Sequence, residues 1–327
     1  MTTSHESRVT RHRPLALIGS NGMLARKVRE LSPDDYEISN YDLPEFDLTD
    51  RAQVLAEMTR LQPAVVVNCA AFTNVDGCEN QEELATRVNG VGPGYLAEAA
   101  QAVGAILVHI STDYVFSGDK GSPYTESDPT GPLSAYGRSK LAGEAAIIES
   151  GLSRYFILRT SWLYGPGGKN FVETMLRLAA ERDELRVVAD QIGSPTYTGD
   201  LAVAIYNLLE AVTRDALLVT GADSEPFVTR HPSPVTDLFG LYHFSNQGET
   251  SWHGFAEEII AQARQQGEIL RAARVVPIAT SDYPLPALRP AYSVFAKEKY
   301  LAATGAGIPD WQESLSFYLQ ERVTSDA

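Results

Sequence analysis

The apolar run Leu15-Ala16-Leu17-Ile18 stops at Gly19, and a helix-compatible stretch, Arg26 to Leu31, follows within a few residues. A short unbroken apolar run is what a strand buried on both faces of a parallel sheet requires, and a glycine after it lets the chain turn through positive φ. Three more such runs follow: Ala64 to Val67, Ala105 to Ile110 and Tyr155 to Leu158. Between them lie Arg51 to Leu61 and Pro93 to Val103, of helix length and with apolar residues three to four apart. Strand and helix alternate, which predicts an α/β fold built on a doubly wound parallel sheet.

A chain of 327 residues is longer than one ordinary domain. Residues 1–13, polar and carrying Arg8, Arg11 and Arg13, read as a flexible tail. Residues 14–168 and about 196–246 read as the sheet domain, with 221–238 (three prolines, no period) as a loop insertion. About 169–195 and 247–327 read as a smaller, irregular α/β lobe that would bind a substrate. Within it 170–182 and 251–265 have helical spacing and Val275 to Leu319 carries five prolines between short elements, while Leu241 to Phe244, in the sheet domain, looks like one more strand.

The 27 basic and 42 acidic residues give a net charge of −15, which disfavours nucleic acid or an anionic membrane as partner. No apolar run approaches the ~18 residues of a membrane span, and the N-terminus lacks the apolar core of a signal peptide, so a cytoplasmic location is expected. Cys69 and Cys78, without metal-ligand spacing, read as reduced thiols.

Gly19-Ser20-Asn21-Gly22-Met23-Leu24-Ala25 is a GxxGxxA turn between strand and helix. Such a turn lets backbone N–H groups approach a pyrophosphate at a helix N-terminus, although a ligand-free turn has the same look. The GK[ST] of a phosphate-loop NTPase is missing. A second strand, Tyr36 to Tyr41, ends at Asp42. A carboxylate there accepts from an adenosine ribose and repels a 2′-phosphate, favouring NAD over NADP; a loop aspartate capping the next turn, near Asp47 and Asp50, is the other reading. Small residues after the third strand, Asn68-Cys69-Ala70-Ala71-Phe72-Thr73, leave room for a flat ligand.

Ser111-Thr112-Asp113-Tyr114 closes the fourth strand, and Tyr136-Gly137-Arg138-Ser139-Lys140 opens the next helix. Tyr136 and Lys140 are i and i+4, on one helical face. A phenol of ordinary pKa ~10 is a poor acid or base near neutrality, and a neighbouring ammonium would lower that value. The pair could then serve a carbonyl or alcohol oxygen, with Thr112 holding the same oxygen. YxxxK alone arises often by chance; its position after a glycine turn and a strand-end hydroxyl gives it weight. His109, in a buried strand, reads as a satisfied core histidine.

These residues resemble the extended short-chain dehydrogenase/reductase family, of Rossmann-type fold. Within it Asn68 to Glu79 (NCAAFTNVDGCE), Ser111 to Phe116 (STDYVF), Pro132 to Glu144, Arg159 to Tyr164 (RTSWLY) and Asp190 to Thr198 (DQIGSPTYT) look like the dTDP-4-dehydrorhamnose reductases. Ser251-Trp252, Phe255-Ala256, Arg289-Pro290 and Ser293 extend the likeness over nearly the whole chain. The resemblance implies reduction of the 4-keto group of dTDP-4-dehydro-6-deoxy-L-mannose to dTDP-L-rhamnose by NADH or NADPH. It implies Tyr136 as proton donor, Lys140 on the nicotinamide ribose, Thr112 on the keto oxygen, and Asp113 and Trp162 as substrate contacts. Gly22, Met23, Leu24, Asp47, Leu48, Ala70, Ala71 and Phe72 match the dinucleotide groove, beside Gly19 and Asp42. Trp162 also reads as a core aromatic, and Asn89 as a groove support or a helix cap.

Ala25 stands where the pattern has a third glycine, a change a helix–sheet contact should tolerate. Some relatives use Mg2+ at a dimer contact, but no residue cluster here identifies that site, so metal and homodimer stay open. Two other readings remain. Sugar-nucleotide epimerases and dehydratases share Tyr136 and Lys140, but the dehydratases follow Thr-Asp with Glu, where this chain has Tyr114. A non-catalytic regulatory homologue, like the regulatory subunit of methionine adenosyltransferase, would also keep the motif.

Overall fold

The computed structural model describes residues 12–220 and 238–325. Its main sheet contains β1 (Arg13–Ile18), β2 (Tyr36–Tyr41), β3 (Val65–Asn68), β4 (Ile106–Thr112), β5 (Tyr155–Thr160) and the strand Gly240–His243. Every neighbouring pair is parallel, in the order Gly240–His243, β5, β4, β3, β1, β2. The four apolar runs and Tyr36 to Tyr41 are therefore strands. β4 and β5 each run two residues beyond the expected run, because Ser111 and Thr112 pair with Arg159 and Thr160. β1 starts at Arg13, inside the expected tail: Arg13 registers with Tyr36, its guanidinium lies 4.7 Å over the Tyr36 ring, and it stands 3.8 Å from Asp35. The expected insertion 221–238 lies outside the described residues except for Leu238.

Alternate residues of each strand feed opposite faces, as the pleat requires. Leu15, Leu17, Val65, Val67, Val108 and Phe156 pack with the helices Met23–Glu30 and Thr198–Thr220. Ala16, Ile18, Val66, Leu107 and Ile157 pack with Arg51–Leu61 and Gly92–Val103 on the other face. Ala25 is fully buried in the first of these cores, as a small residue at that contact should be.

A second core lies outside the sheet and joins Phe171–Glu181, Trp252–Gln265 and Trp311–Ser325 through Met175, Leu176, Phe255, Ile259, Trp311 and Leu315. Three departures from expectation concern this lobe. The proline-rich C-terminal stretch ends in the 15-residue helix Trp311–Ser325 rather than in short elements only. The helix Glu298–Thr304, expected in the lobe, buries Tyr300 in the sheet domain's core instead. Tyr164, expected in the sheet domain, goes the other way into the lobe's core.

Candidate active site

Between β1 and β3 the strand order reverses direction along the chain, and open α/β sheets bind ligands in the crevice such a switch creates. Gly19 turns there with φ +73°, and a side chain on it would place its Cβ 2.6 Å from the Ala70 backbone nitrogen. Only glycine fits both the conformation and the approach. Gly22 then caps Met23–Glu30 without a side-chain hydrogen bond, so its first-turn amides face a cleft lined by Asn21, Gly22, Met23 and Leu24.

That cleft, of about 750 Å3, also holds Thr112, Asp113, Tyr114, Tyr136, Lys140, Trp162, Phe171 and Trp252. A second hollow of about 310 Å3 is lined by Gly19, Asp42, Asp47, Leu48, Ala70 and Ala71. Asn21, Gly22, Cys69 and Ala71 line both, so the two form one groove across the ends of the strands. A close-approach glycine, an uncapped helix start and a two-part groove fit a dinucleotide.

Of the residues expected to hold a cofactor, Phe72 lines neither hollow. Its side chain packs with Cys78, Ala85, Ala135 and Tyr136, while its backbone is clamped by Asn89. The Phe72 amide donates to Asn89 Oδ1 at 2.7 Å, and Asn89 Nδ2 donates to the Phe72 carbonyl at 3.0 Å and to Ser139 Oγ at 3.0 Å. Asn89 is fully buried on a π-helical turn, Thr86–Val91, and so supports the groove's floor. Asp42 follows β2, and its carboxylate accepts the Asn21 amide at 2.7 Å and the Leu43 amide at 2.9 Å. Held by these two amides, Asp42 lines the second hollow. Asp47 likewise accepts from the Thr49 amide and hydroxyl at 2.8 Å.

Tyr136 and Lys140 sit on the first turns of Ala135–Glu149, started by Ser134, whose Oγ accepts the Gly137 amide at 3.2 Å. A Cβ on Gly137 would collide with the Tyr114 carbonyl, so this helix is pressed against the end of β4, where Thr112 lies. Thr112 donates to Asp113 Oδ1 at 3.0 Å, and its hydroxyl stands near enough to the Tyr136 phenol to favour the phenolate. Asp113 is 2% exposed, and its Oδ2 has no well-formed hydrogen bond, although the Ser293 hydroxyl stands near enough to favour the anion. Burial outweighs these donors and pushes Asp113 up to about 6.

The electrostatics of the pair correct the expectation from sequence. Burial raises the Tyr136 phenol above its ordinary value; the nearby Thr112 hydroxyl opposes this and the Asp113 charge adds to it. Lys140 does not lower it. Lys140 Nζ instead reaches back to β4, donating to the Ile110 carbonyl at 2.6 Å and standing 3.2 Å from His109 Nε2. Burial brings Lys140 down to about 8. Sharing a helical face placed both groups in one cleft but did not make them touch.

Comparison with known proteins agrees with this geometry. The family described as RmlD substrate binding domain matches residues 13–324. The chain belongs to the RmlD substrate-binding family. A dTDP-4-dehydrorhamnose reductase of Burkholderia thailandensis is 42% identical over 277 residues, 84% of this chain and 87% of that protein. The spore coat polysaccharide biosynthesis protein SpsK of Bacillus subtilis is 40% identical, over 94% of this chain and 97% of its own. The crystal structure of dTDP-4-dehydrorhamnose reductase from Bacillus anthracis, in complex with NADP, is 39% identical with a TM-score of 0.82, covering 95% and 99% of the two chains.

Two features of this RmlD-family site had only a weak signal in the sequence. Trp252 opens the helix Trp252–Gln265 and stacks on Trp162, bringing the second lobe to the cleft's edge; the motif Ser251-Trp252 was visible, its partner was not. His109 is fully buried and bonded to Asn68 at 3.0 Å, as a core histidine should be, yet it also contacts Lys140. Cys69 and Cys78 are free thiols, and burial pushes Cys69 up to about 12. Among the described residues no group of three or more His, Cys, Asp or Glu is placed to hold a metal ion, and no helix is long and apolar enough to cross a membrane.

Proposed function

We propose that this protein is a nicotinamide-dependent sugar-nucleotide reductase that converts the 4-keto group of dTDP-4-dehydro-6-deoxy-L-mannose to the alcohol of dTDP-L-rhamnose. The observation that carries the reading is the single groove in which a dinucleotide cradle runs into Thr112, Asp113 and Tyr136. When bound, NADH or NADPH supplies the hydride. Gly19, Gly22, Met23 and Leu24 hold its pyrophosphate by backbone approach, Ala70 and Ala71 form the floor, and Asp42, Asp47 and Leu48 meet the adenosine end. Lys140 holds the nicotinamide ribose.

The raised Tyr136 pKa suits the reducing direction. Tyr136 stays protonated through the neutral range, and the oxygen that becomes an alkoxide as hydride arrives at C4 is basic enough to take its proton. Thr112 steers that oxygen toward Tyr136, and Asp113, which lines the same cleft, accepts from a sugar hydroxyl. Trp162 and Trp252 bound the sugar's side. Tyr114 after Thr112-Asp113 leaves no glutamate there for elimination, which favours simple reduction over dehydration.

Beyond the second hollow, Asp42 also borders an outer hollow that Glu45 and Glu57 line with further carboxylates, which supports NADH over NADPH. The test is oxidation of NADH or NADPH by the purified protein with dTDP-4-dehydrorhamnose and with other 4-keto sugar nucleotides. Stoichiometric consumption with the first is expected. No consumption with it would sink the reading and leave the regulatory homologue standing.

A further inference from the structure

Lys140 is attached to a hydrogen-bond chain whose direction the backbone fixes. Asn68 and His109 are register partners on β3 and β4, so their side chains share one face of the sheet. The Ala70 amide donates to Asn68 Oδ1 at 3.1 Å, which turns Asn68 Nδ2 toward His109 Nδ1 at 3.0 Å. An amide nitrogen only donates, so His109 Nδ1 is the accepting lone pair, and the neutral ring then carries its proton on Nε2. Nε2 faces Lys140 Nζ at 3.2 Å. An ammonium has no lone pair to receive that N–H, whereas a neutral amine has one and can still donate to the Ile110 carbonyl at 2.6 Å.

We propose that His109, oriented by Asn68, is a positioning residue that favours the neutral amine of Lys140 in the cofactor-free enzyme, so that in mildly alkaline solution cofactor binding takes up a proton at Lys140. This rests on the reading that Lys140 meets the cofactor ribose as an ammonium. The proton comes from solvent onto the Nζ lone pair, and the Nε2–H···Nζ bond is given up; nothing is oxidised or reduced. The groups facing Lys140 are His109 and the Ile110 carbonyl from β4, Cys69 after β3, and Glu144 and Tyr136 on its own helix. Burial lowers Lys140 to about 8, and Glu144, the main opposing group, is already committed to Arg159 at 2.6 Å and to Ser111 at 2.5 Å. Burial alone holds His109 below its ordinary value, so the ring is neutral whether or not Lys140 is charged.

The test is calorimetric titration of the full chain with NADH in pairs of buffers that differ in ionisation enthalpy. A free-enzyme pKa of about 8 predicts uptake of about 0.9 proton per NADH at pH 9 and about 0.1 at pH 7. Asn68→Asp keeps the Ala70 contact but its carboxylate accepts a hydrogen bond from Nδ1–H, so Nε2 becomes the acceptor and Lys140 stays charged. Uptake at pH 9 should fall below about 0.3, and likewise in His109→Gln, whose amide can turn its oxygen to Lys140. No uptake by the unmodified protein at pH 9, or the same uptake in whichever of these variants folds, would overturn the inference. Lys140→Met separates the underlying reading: if it binds NADH as well as the unmodified protein, Lys140 does not hold the cofactor.

Discussion

Trp162 and Trp252 lie face to face, ring centroids 3.6 Å apart and planes 8° from parallel, one from the end of the sheet domain and one from the second lobe. Trp162 reaches this position with φ +48°, uncommon for a bulky residue, and Gly193 makes room for the indole: a Cβ there would sit 2.5 Å from Trp162 Cε2. Phe171 packs against Trp252 at 4.6 Å. Both indoles line the cleft that also holds Tyr136, so on the proposed function they border the sugar. Trp252→Ala should raise the substrate KM roughly tenfold with a smaller change in kcat, since it removes a binding face and leaves the proton donor untouched. Steady-state kinetics checks this, and the near-UV circular dichroism couplet of two stacked indoles should vanish in the variant. An unchanged KM would place the sugar elsewhere.

Tyr136→Phe removes one hydroxyl from a buried ring that packs edge-on to Tyr114 at 5.4 Å. The ring contact survives, so NADH affinity should stay within about twofold while kcat drops by roughly 10²–10⁴. Fluorescence titration and single-turnover oxidation separate the two. Near-normal turnover would mean that another group donates the proton.

Much of this site was legible in the sequence because its parts sit at strand ends, where local pattern and function coincide. Gly19, Thr112 and the Tyr136 helix were each placed by an apolar run that stops or a helix that starts. What escaped depends on contacts between distant segments. Nothing local tells that Lys140 turns to His109 and Ile110 rather than to Tyr136, because i and i+4 spacing fixes a helical face and not the direction of a long side chain. Trp252 meets Trp162 from 90 residues away, and the Tyr300 helix is assigned to a core by what packs on it rather than by its position in the chain.

Asp42 gives a cofactor preference that can be measured directly. Its two oxygens already accept backbone amides, which fixes the carboxylate at the edge of the outer hollow. A 2′-phosphate would meet this charge with Glu45 and Glu57 beside it. kcat/KM should favour NADH over NADPH, and Asp42→Ala should narrow the ratio at least severalfold, mainly by improving NADPH. A strong NADPH preference in the unmodified protein would overturn this view of Asp42.

Asp113 should cost the protein stability in return for its place in the cleft. Its native pKa is about 6, raised chiefly by burial, whereas an unfolded aspartate titrates near ~3.9. Between these values the folded protein holds a proton that the unfolded chain has lost, so this group's contribution falls as pH rises from about 4 to about 6 and stays low above that. A difference of about two pKa units corresponds to about 3 kcal/mol at most. Asp113→Asn removes the charge, so the variant should gain on the unmodified protein at pH 7.5 relative to pH 4 by up to that amount. Any constant effect of the amide cancels between the two pH values. Urea unfolding at both, with no substrate present, is the measurement, and the same variant should lose substrate affinity. An equal difference in stability at pH 4 and pH 7.5 would show that Asp113 is not a desolvated carboxylate in the free protein.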